Sequence, residues 1–228
     1  MKKITILPVL IAIAFCGAAP LFSQPRYGIR AGLNMTNMQY SGRADPYEAT
    51  AIFQTNSDPR FSFFLGGVVQ LDLKKNFTLN GEIQLTGMGY HLQAADSFYD
   101  FTEYHARLWY VHIPLTVTAR WGGFFAGAGP YLGLGVAGTQ EVIKYFPTSS
   151  TPFKDKSGTH FGSGSDNHYR RFDFGVQAQA GYSFRNIRLI VSYNLGLLDA
   201  INKFYANEGT ARHRALGVSA AYFFGAGE

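Results

Sequence analysis

Hydrophobic and polar residues alternate at period two through eight segments of this chain. Successive side chains of a strand point to opposite faces of a sheet, so each such segment presents one apolar face and one small or polar face. The first, residues 27–35, sets Tyr27, Ile29, Ala31, Leu33 and Met35 against Gly28, Arg30, Gly32 and Asn34. The second, 61–73, opposes Phe63, Leu65, Val69 and Leu71 to Ser62, Gly66, Gln70 and Asp72. In the third, 77–91, Phe77, Leu79, Ile83 and Leu85 alternate with Thr78, Asn80, Glu82, Gln84 and Thr86. The fourth, 107–120, carries Trp109, Val111, Ile113, Leu115 and Val117 opposite Tyr110, His112, Thr116, Thr118 and Arg120. The fifth, 124–137, has Gly127, Gly129, Tyr131, Gly133 and Gly135 on one face, and its glycines leave room for long side chains from neighbouring strands. The sixth, 171–184, opposes Phe172, Phe174, Val176, Ala178 and Tyr182 to Arg171, Asp173, Gln177, Gln179 and Ser183. The seventh pairs Ile187, Leu189, Val191, Tyr193 and Leu195 with Arg188, Ser192 and Asn194, and the eighth, 213–224, shows Leu216, Val218, Ala220, Tyr222 and Phe224 on its apolar face.

The connections alternate as well. Short turns fall at 74–76, 121–123 and 185–186, and long connections at 39–60, 92–106, 140–170 and 199–212. Together these features predict an all-β fold: an eight-stranded antiparallel up-and-down transmembrane β-barrel, with short periplasmic turns and long extracellular loops. Several segments exceed the ~9–11 residues that a tilted strand needs to cross the hydrocarbon, so they extend beyond the membrane. Alternation alone does not separate inside from outside, and a periplasmic ligand-carrying barrel of opposite polarity is the rival fold. What favours lipid outside is that the glycine, arginine and glutamate face is the one that packs into a narrow lumen.

The amino terminus agrees with export. Lys2 and Lys3 precede an apolar run over 4–15, then small residues and Pro20, which is the pattern of a cleaved secretory signal peptide. The expected division is a signal peptide at 1–23 and an outer-membrane β-barrel domain at 24–228. That apolar run is shorter than the roughly 20 residues of a spanning helix, and none like it follows. The single cysteine, Cys16, lies inside this leader, so the mature chain has no disulfide to staple it. The bulky Phe15 before it disfavours lipoprotein processing.

Composition sharpens the picture in two places. The chain is 46% hydrophobic and 16% aromatic, yet its mean hydropathy is only −0.05, as expected when apolar residues are spread one in two. Its net charge of +5 becomes +3 without Lys2 and Lys3, and the remaining basic residues are scattered, so no nucleic-acid partner is predicted.

Candidate chemistry concentrates on the inward face. Arg30, Asp72, Glu82, His112, Arg120, Asp173 and Arg188 bring both charge signs into the lumen, where they are expected to pair as a polar network that closes the barrel. A gated conduit or small-ligand site is the alternative use of mixed charge in a lumen. Tyr27, Trp109, Trp121, Tyr182, Tyr193 and Tyr222 form the expected aromatic girdle at the membrane interfaces. The six histidines, His91, His105, His112, His160, His168 and His213, show no spacing that selects a nucleophile or a metal. Neither a cofactor, a metal nor an enzymatic activity is therefore expected; a lipid-modifying enzyme stays the less favoured alternative. The expected partners are outer-membrane lipid and lipopolysaccharide, and a protein met through the long loops.

The order of several short motifs resembles the PorT-like outer-membrane β-barrel family of Bacteroidota. They are Gly32-Leu33-Asn34, Tyr110-Val111-His112-Ile113-Pro114-Leu115, Ala128-Gly129-Pro130-Tyr131-Leu132-Gly133, Phe172-Asp173-Phe174-Gly175 and Tyr193-Asn194-Leu195-Gly196-Leu197. Two positions depart from the family pattern, Ser192 where an arginine is frequent and His112 where an acidic residue is common. The resemblance implies fold and outer-membrane location, and through the family's namesake a link to protein secretion or gliding machinery. A closed barrel predicts that the extracted protein migrates differently on a gel when unboiled than when boiled; identical migration, with solubility free of detergent, would reverse the two faces.

Overall fold

The computed structural model describes residues 24–43, 58–74, 76–97, 100–146, 151–162, 169–201 and 208–224. The expected signal peptide, Lys75 of the first short turn and parts of all four long connections lie outside the described residues. Among the described residues nine strands form: β1 (Arg26–Arg43), β2 (Arg60–Lys74), β3 (Phe77–Ser97), β4 (Asp100–Trp121), β5 (Phe124–Tyr145), β6 (Phe153–Gly158), β7 (Phe172–Phe184), β8 (Ile187–Gly196) and β9 (Glu208–Phe223). Eight of them close a ring in the order β1-β2-β3-β4-β5-β7-β8-β9, every neighbour antiparallel. Closure comes from β1 and β9, which pair from Gly28↔Phe223 to Arg43↔Glu208.

Register puts the apolar face outward on every ring strand. Ile29, Leu33, Phe63, Leu65, Ile83, Leu85, Ile113, Leu115, Leu132, Phe174, Leu189 and Val218 are all exposed. In water so broad an apolar band would be a liability, whereas in a bilayer it is the lipid-facing wall. The residues between them turn inward, where Arg30, Asn34, Gln70, Thr78, Asn80, Glu82, Thr116, Thr118, Asp173, Gln177 and Arg188 are buried.

The wall is uneven. β3, β4 and β5 are 21, 22 and 22 residues long, whereas β8 has 10. The expected loop at 92–106 is instead a continuation of the β3–β4 hairpin, paired from Tyr90↔Ala106 to Ser97↔Asp100. The expected loop at 140–170 likewise contains the top of β5 and all of β6, which pairs β5 from Thr139↔Gly158 to Lys144↔Phe153 above the point where β7 leaves it. β1 also runs on to Arg43, and β9 starts at Glu208.

The alternation in these extensions changes sign. On β4 below Trp109 the outward residues are apolar, but above it they are Arg107, His105 and Glu103, while Leu108 and Ala106 are buried inward. A pattern sought as apolar-out therefore ends where the strand leaves lipid, although the backbone ladder continues.

Two of the short turns place their first residue in the left-handed region, Gly122 at φ 61° and Arg185 at φ 53°. Hairpins of two residues favour such turns because their twist matches that of the strands. A β-branched side chain resists this conformation, so Gly122→Val should lower stability by about 1–2 kcal/mol, read as a shift in the urea midpoint of the micelle-refolded barrel. Pro114 and Pro130, by contrast, sit mid-strand, Pro114 buried on the inward face of β4 opposite Tyr131 and Pro130 exposed on the outward face of β5, and nothing in the turn argument applies to them.

Candidate functional site

The lumen is where the polar faces of eight strands converge, and it is layered along the barrel axis. At the turn end, Arg120 Nη2 lies 3.3 Å from Asp72 Oδ1, with both side chains about a third exposed. Above that pair, the Arg188 guanidinium is stacked over the Phe125 and Phe223 rings, 5.0 Å from each centroid, and donates to Asn80 Oδ1 at 3.3 Å. Asn80 in turn donates to Thr118 Oγ1 at 3.1 Å.

Arg30 crosses the next layer. Its Nη1 donates to both carboxylate oxygens of Glu82, at 2.9 and 3.0 Å, and to Gln179 Oε1 at 3.2 Å. Its Nη2 reaches Ser192 Oγ at 3.2 Å and its Nε reaches Ser219 Oγ at 3.0 Å. Gln84 donates to the same Glu82 carboxylate, and Gln179 donates to Thr116 Oγ1 at 2.9 Å. One guanidinium on β1 thus holds side chains of β3, β7, β8 and β9. The side chains of Arg30 and Glu82 are 1% and 2% exposed, so this pair is removed from water and depends on its hydrogen bonds.

Higher still, polar side chains give way to rings. The His112 imidazole stacks on Tyr131 at 4.7 Å, and the Tyr131 hydroxyl donates to Asp173 Oδ2 at 3.1 Å. Tyr110 meets His112, His213 and Phe161 edge-on. Phe161 and Tyr169 come from the long connection after β6, and with Met38, Met88, Tyr90 and Leu108 they form an apolar layer across the top. The Tyr90 and Tyr169 hydroxyls share a hydrogen bond of 2.6 Å. Gly135 makes this layer possible, since a Cβ there would stand 2.5 Å from the Phe161 ring.

The seven residues expected in one lumen network therefore fall in four places. Arg30 and Glu82 are directly paired; Arg188 is buried in the layer below them; His112 and Asp173 are buried above, joined through Tyr131; Asp72 and Arg120 pair at the open turn end. Arg171, expected inward, is exposed and donates to the Phe161 carbonyl. The alternation turns Gln179 and Ser192 inward but does not pair them with Arg30, and it gives no sign of the apolar top layer, because shear decides which inward residues share a level. Of the aromatic residues, Tyr27, Trp121, Tyr182 and Tyr222 are exposed near the turn end, Tyr182 against Phe124 and Tyr222 against Phe224. Trp109 lies higher, edge-on to Phe63 at 5.1 Å, and Tyr193 is exposed on β8, where its hydroxyl accepts from Arg214.

A closed ring with an apolar exterior and a filled polar interior is now joined by a sequence match, in which residues 22–202 fit the model of the outer membrane protein beta-barrel domain. The chain belongs to that family. The protein is accordingly an outer-membrane β-barrel, and β9, which completes the ring, follows the matched residues. Solved outer-membrane barrels resemble it at low identity. Ail, the attachment invasion locus protein of Yersinia pestis, is 12% identical, with 89% of this chain and 100% of Ail covered and a TM-score of 0.42. OprG from Pseudomonas aeruginosa is 11% identical, covering 88% and 96%, with a TM-score of 0.40. The outer membrane protease OmpT from Escherichia coli is 10% identical, covering 89% and 98%, with a TM-score of 0.37. No curated protein matches the chain.

Removing one member of the Arg30–Glu82 pair leaves the other charge buried. Glu82→Ala in this outer-membrane barrel should cost about 3–5 kcal/mol, and the paired replacement Arg30→Met with Glu82→Leu should recover most of it. Urea unfolding in micelles measures both; equal losses in the single and paired variants would show that the pair is not what matters at this level.

Proposed function

We propose that this outer-membrane barrel has no through-passage and serves a structural or interaction role through the hairpins it raises outside the membrane. The observation that carries the reading is the filling of the lumen, from Asp72–Arg120 through Arg30–Glu82 to Phe161 and Tyr169. An eight-stranded ring is only wide enough for side chains to occupy. In this reading Arg30, Asp72, Glu82, His112, Arg120, Asp173 and Arg188 stabilise the wall from within rather than bind a solute.

The aromatic residues then anchor the barrel at its two interfaces. Trp109 and Trp121 are twelve residues apart on β4. At ~3.3 Å per residue and a tilt of ~40° they are separated by about 30 Å along the membrane normal, close to the hydrocarbon thickness. Above Trp109, Arg107, Arg212 and Arg214 point away from the lumen, and they suit the phosphates of outer-membrane lipid and lipopolysaccharide. The β5–β6 hairpin, exposed along all of β6, suits a protein partner. The protein is read as non-enzymatic, with His112 and His213 committed to packing among tyrosines.

A second reading follows from the motif order around Tyr110–Leu115 and Ala128–Gly133, which favours the PorT-like group and a place beside secretion or gliding machinery. Planar-bilayer recording separates a filled lumen from a conduit: the purified protein should show no steady conductance, and stable stepwise currents would refute the closed reading. Recovery of secretion components with the barrel from native membranes, lost when the β5–β6 hairpin is removed, would favour the second.

A further inference from the structure

Three ligand-bearing side chains meet outside the lumen, on the raised β3–β4 hairpin. His91 and His105 are directly paired across the two strands, and Glu103 is two residues from His105 on the same face. Their neighbours Tyr90 and Ala106 are buried inward, so alternation turns His91, Glu103 and His105 outward. They sit just above Trp109, where the outward face changes from apolar to polar.

The geometry is convergent. The two imidazole rings stack at 4.1 Å with 16° between their planes. Both present Nε2 to one oxygen: Glu103 Oε2 lies 3.3 Å from His105 Nε2 and 3.9 Å from His91 Nε2. One ligand atom from each residue falls within 4.8 Å of the others. Ligand atoms at 2.0–2.1 Å from a tetrahedral zinc are about 3.4 Å apart, so side-chain rotations alone close the set. The other nitrogen of His91, Nδ1, faces Asp58 Oδ2 at 3.7 Å. Asp58 is itself fixed to His91 by an antiparallel bridge, its N–H donating to the His91 carbonyl at 2.9 Å. A carboxylate behind the second nitrogen is the arrangement that orients metal-bound histidines.

We infer that His91, His105 and Glu103 form a divalent transition-metal site on the outer face of the β3–β4 hairpin, with Asp58 as the residue that orients His91. Two imidazoles and one carboxylate select a zinc-class ion over calcium or magnesium, which take oxygen ligands. Three protein ligands leave a fourth position open to water or to an external donor. Arg107 is on the same face, two residues from His105, but it is exposed, so the high dielectric of water weakens its repulsion at the site. Binding would also tie the residues before β2 to the hairpin, because Asp58 precedes that strand.

Cobalt(II) titration of the full-length barrel in micelles tests the assignment. The expected result is one equivalent bound with visible absorption of a low-coordinate site, displaced by zinc and not by magnesium. Asp58→Asn should weaken binding by ~10- to 100-fold, and His91→Ala or His105→Ala by more. His112, His160, His168 and His213 remain in those variants, so binding that survives in His91→Ala with His105→Ala overturns the site, as does the absence of stoichiometric binding. Unboiled gel migration checks that each variant is folded. Copper(II) electron paramagnetic resonance on the unaltered protein adds a readout without mutation: two coordinated nitrogens support the site, and one or none overturns it.

Discussion

A strand edge cannot face hydrocarbon, because its unpaired N–H and C=O groups would find no partner there. The pairing of β1 with β9 removes the last such edge, and most other features follow from it. A ring of eight strands is narrow, so its inward residues must fill the space they enclose. Long side chains then cross the lumen instead of lining it, and each buried charge needs its hydrogen bonds supplied by opposite walls. Arg30 meets that demand by reaching four other strands, which makes it a register lock as well as a packing group. A slip of one residue in β1 would turn Arg30 to lipid and Ile29 or Ala31 inward.

Much of this was legible in the sequence because period-two alternation has a direct physical cause in lipid. All eight ring strands, their order and the short turns at 121–123 and 185–186 agree with it, as does the inward side of Arg30, Glu82, His112, Asp173 and Arg188. The upper parts of β3, β4 and β5 were hidden for an equally physical reason. Beyond the bilayer the outer face meets water and the inner face meets the Phe161–Tyr169 layer, so polar and apolar positions exchange, as at Arg107 and Leu108. Apolar-out alternation therefore stops there, although the strands continue. β6 lacked a signal altogether, since both of its faces are exposed.

Pairing between distant inward residues was not legible either. Arg30 and Glu82 belong to strands that are not ring neighbours, and only the shear of the barrel brings them to one level. The same holds on the outside for His91, Glu103 and His105. Their separations along the chain resemble no compact ligand motif, and they converge only because the hairpin pairs residue 91 with 105. His91 thereby changes from an isolated strand-end residue to one held between Asp58 and Glu103.

The exchange of polar and apolar faces near Trp109 also governs how deep the molecule floats. Sinking by two residues along β4 would carry Arg107 toward the acyl chains, where a lipid-facing cation costs up to ~2–4 kcal/mol at the midplane and less near the surface. Rising by the same amount would lift Phe124, Phe184 and Phe224 of the inner rim toward the core and bring polar turn residues with them. The barrel is therefore ballasted from both ends. Because β3, β4 and β5 stand tallest, β1 and β9 rise less and β8 is short, the part above the waterline forms an uneven parapet, giving the molecule a front and a back in the plane of the membrane.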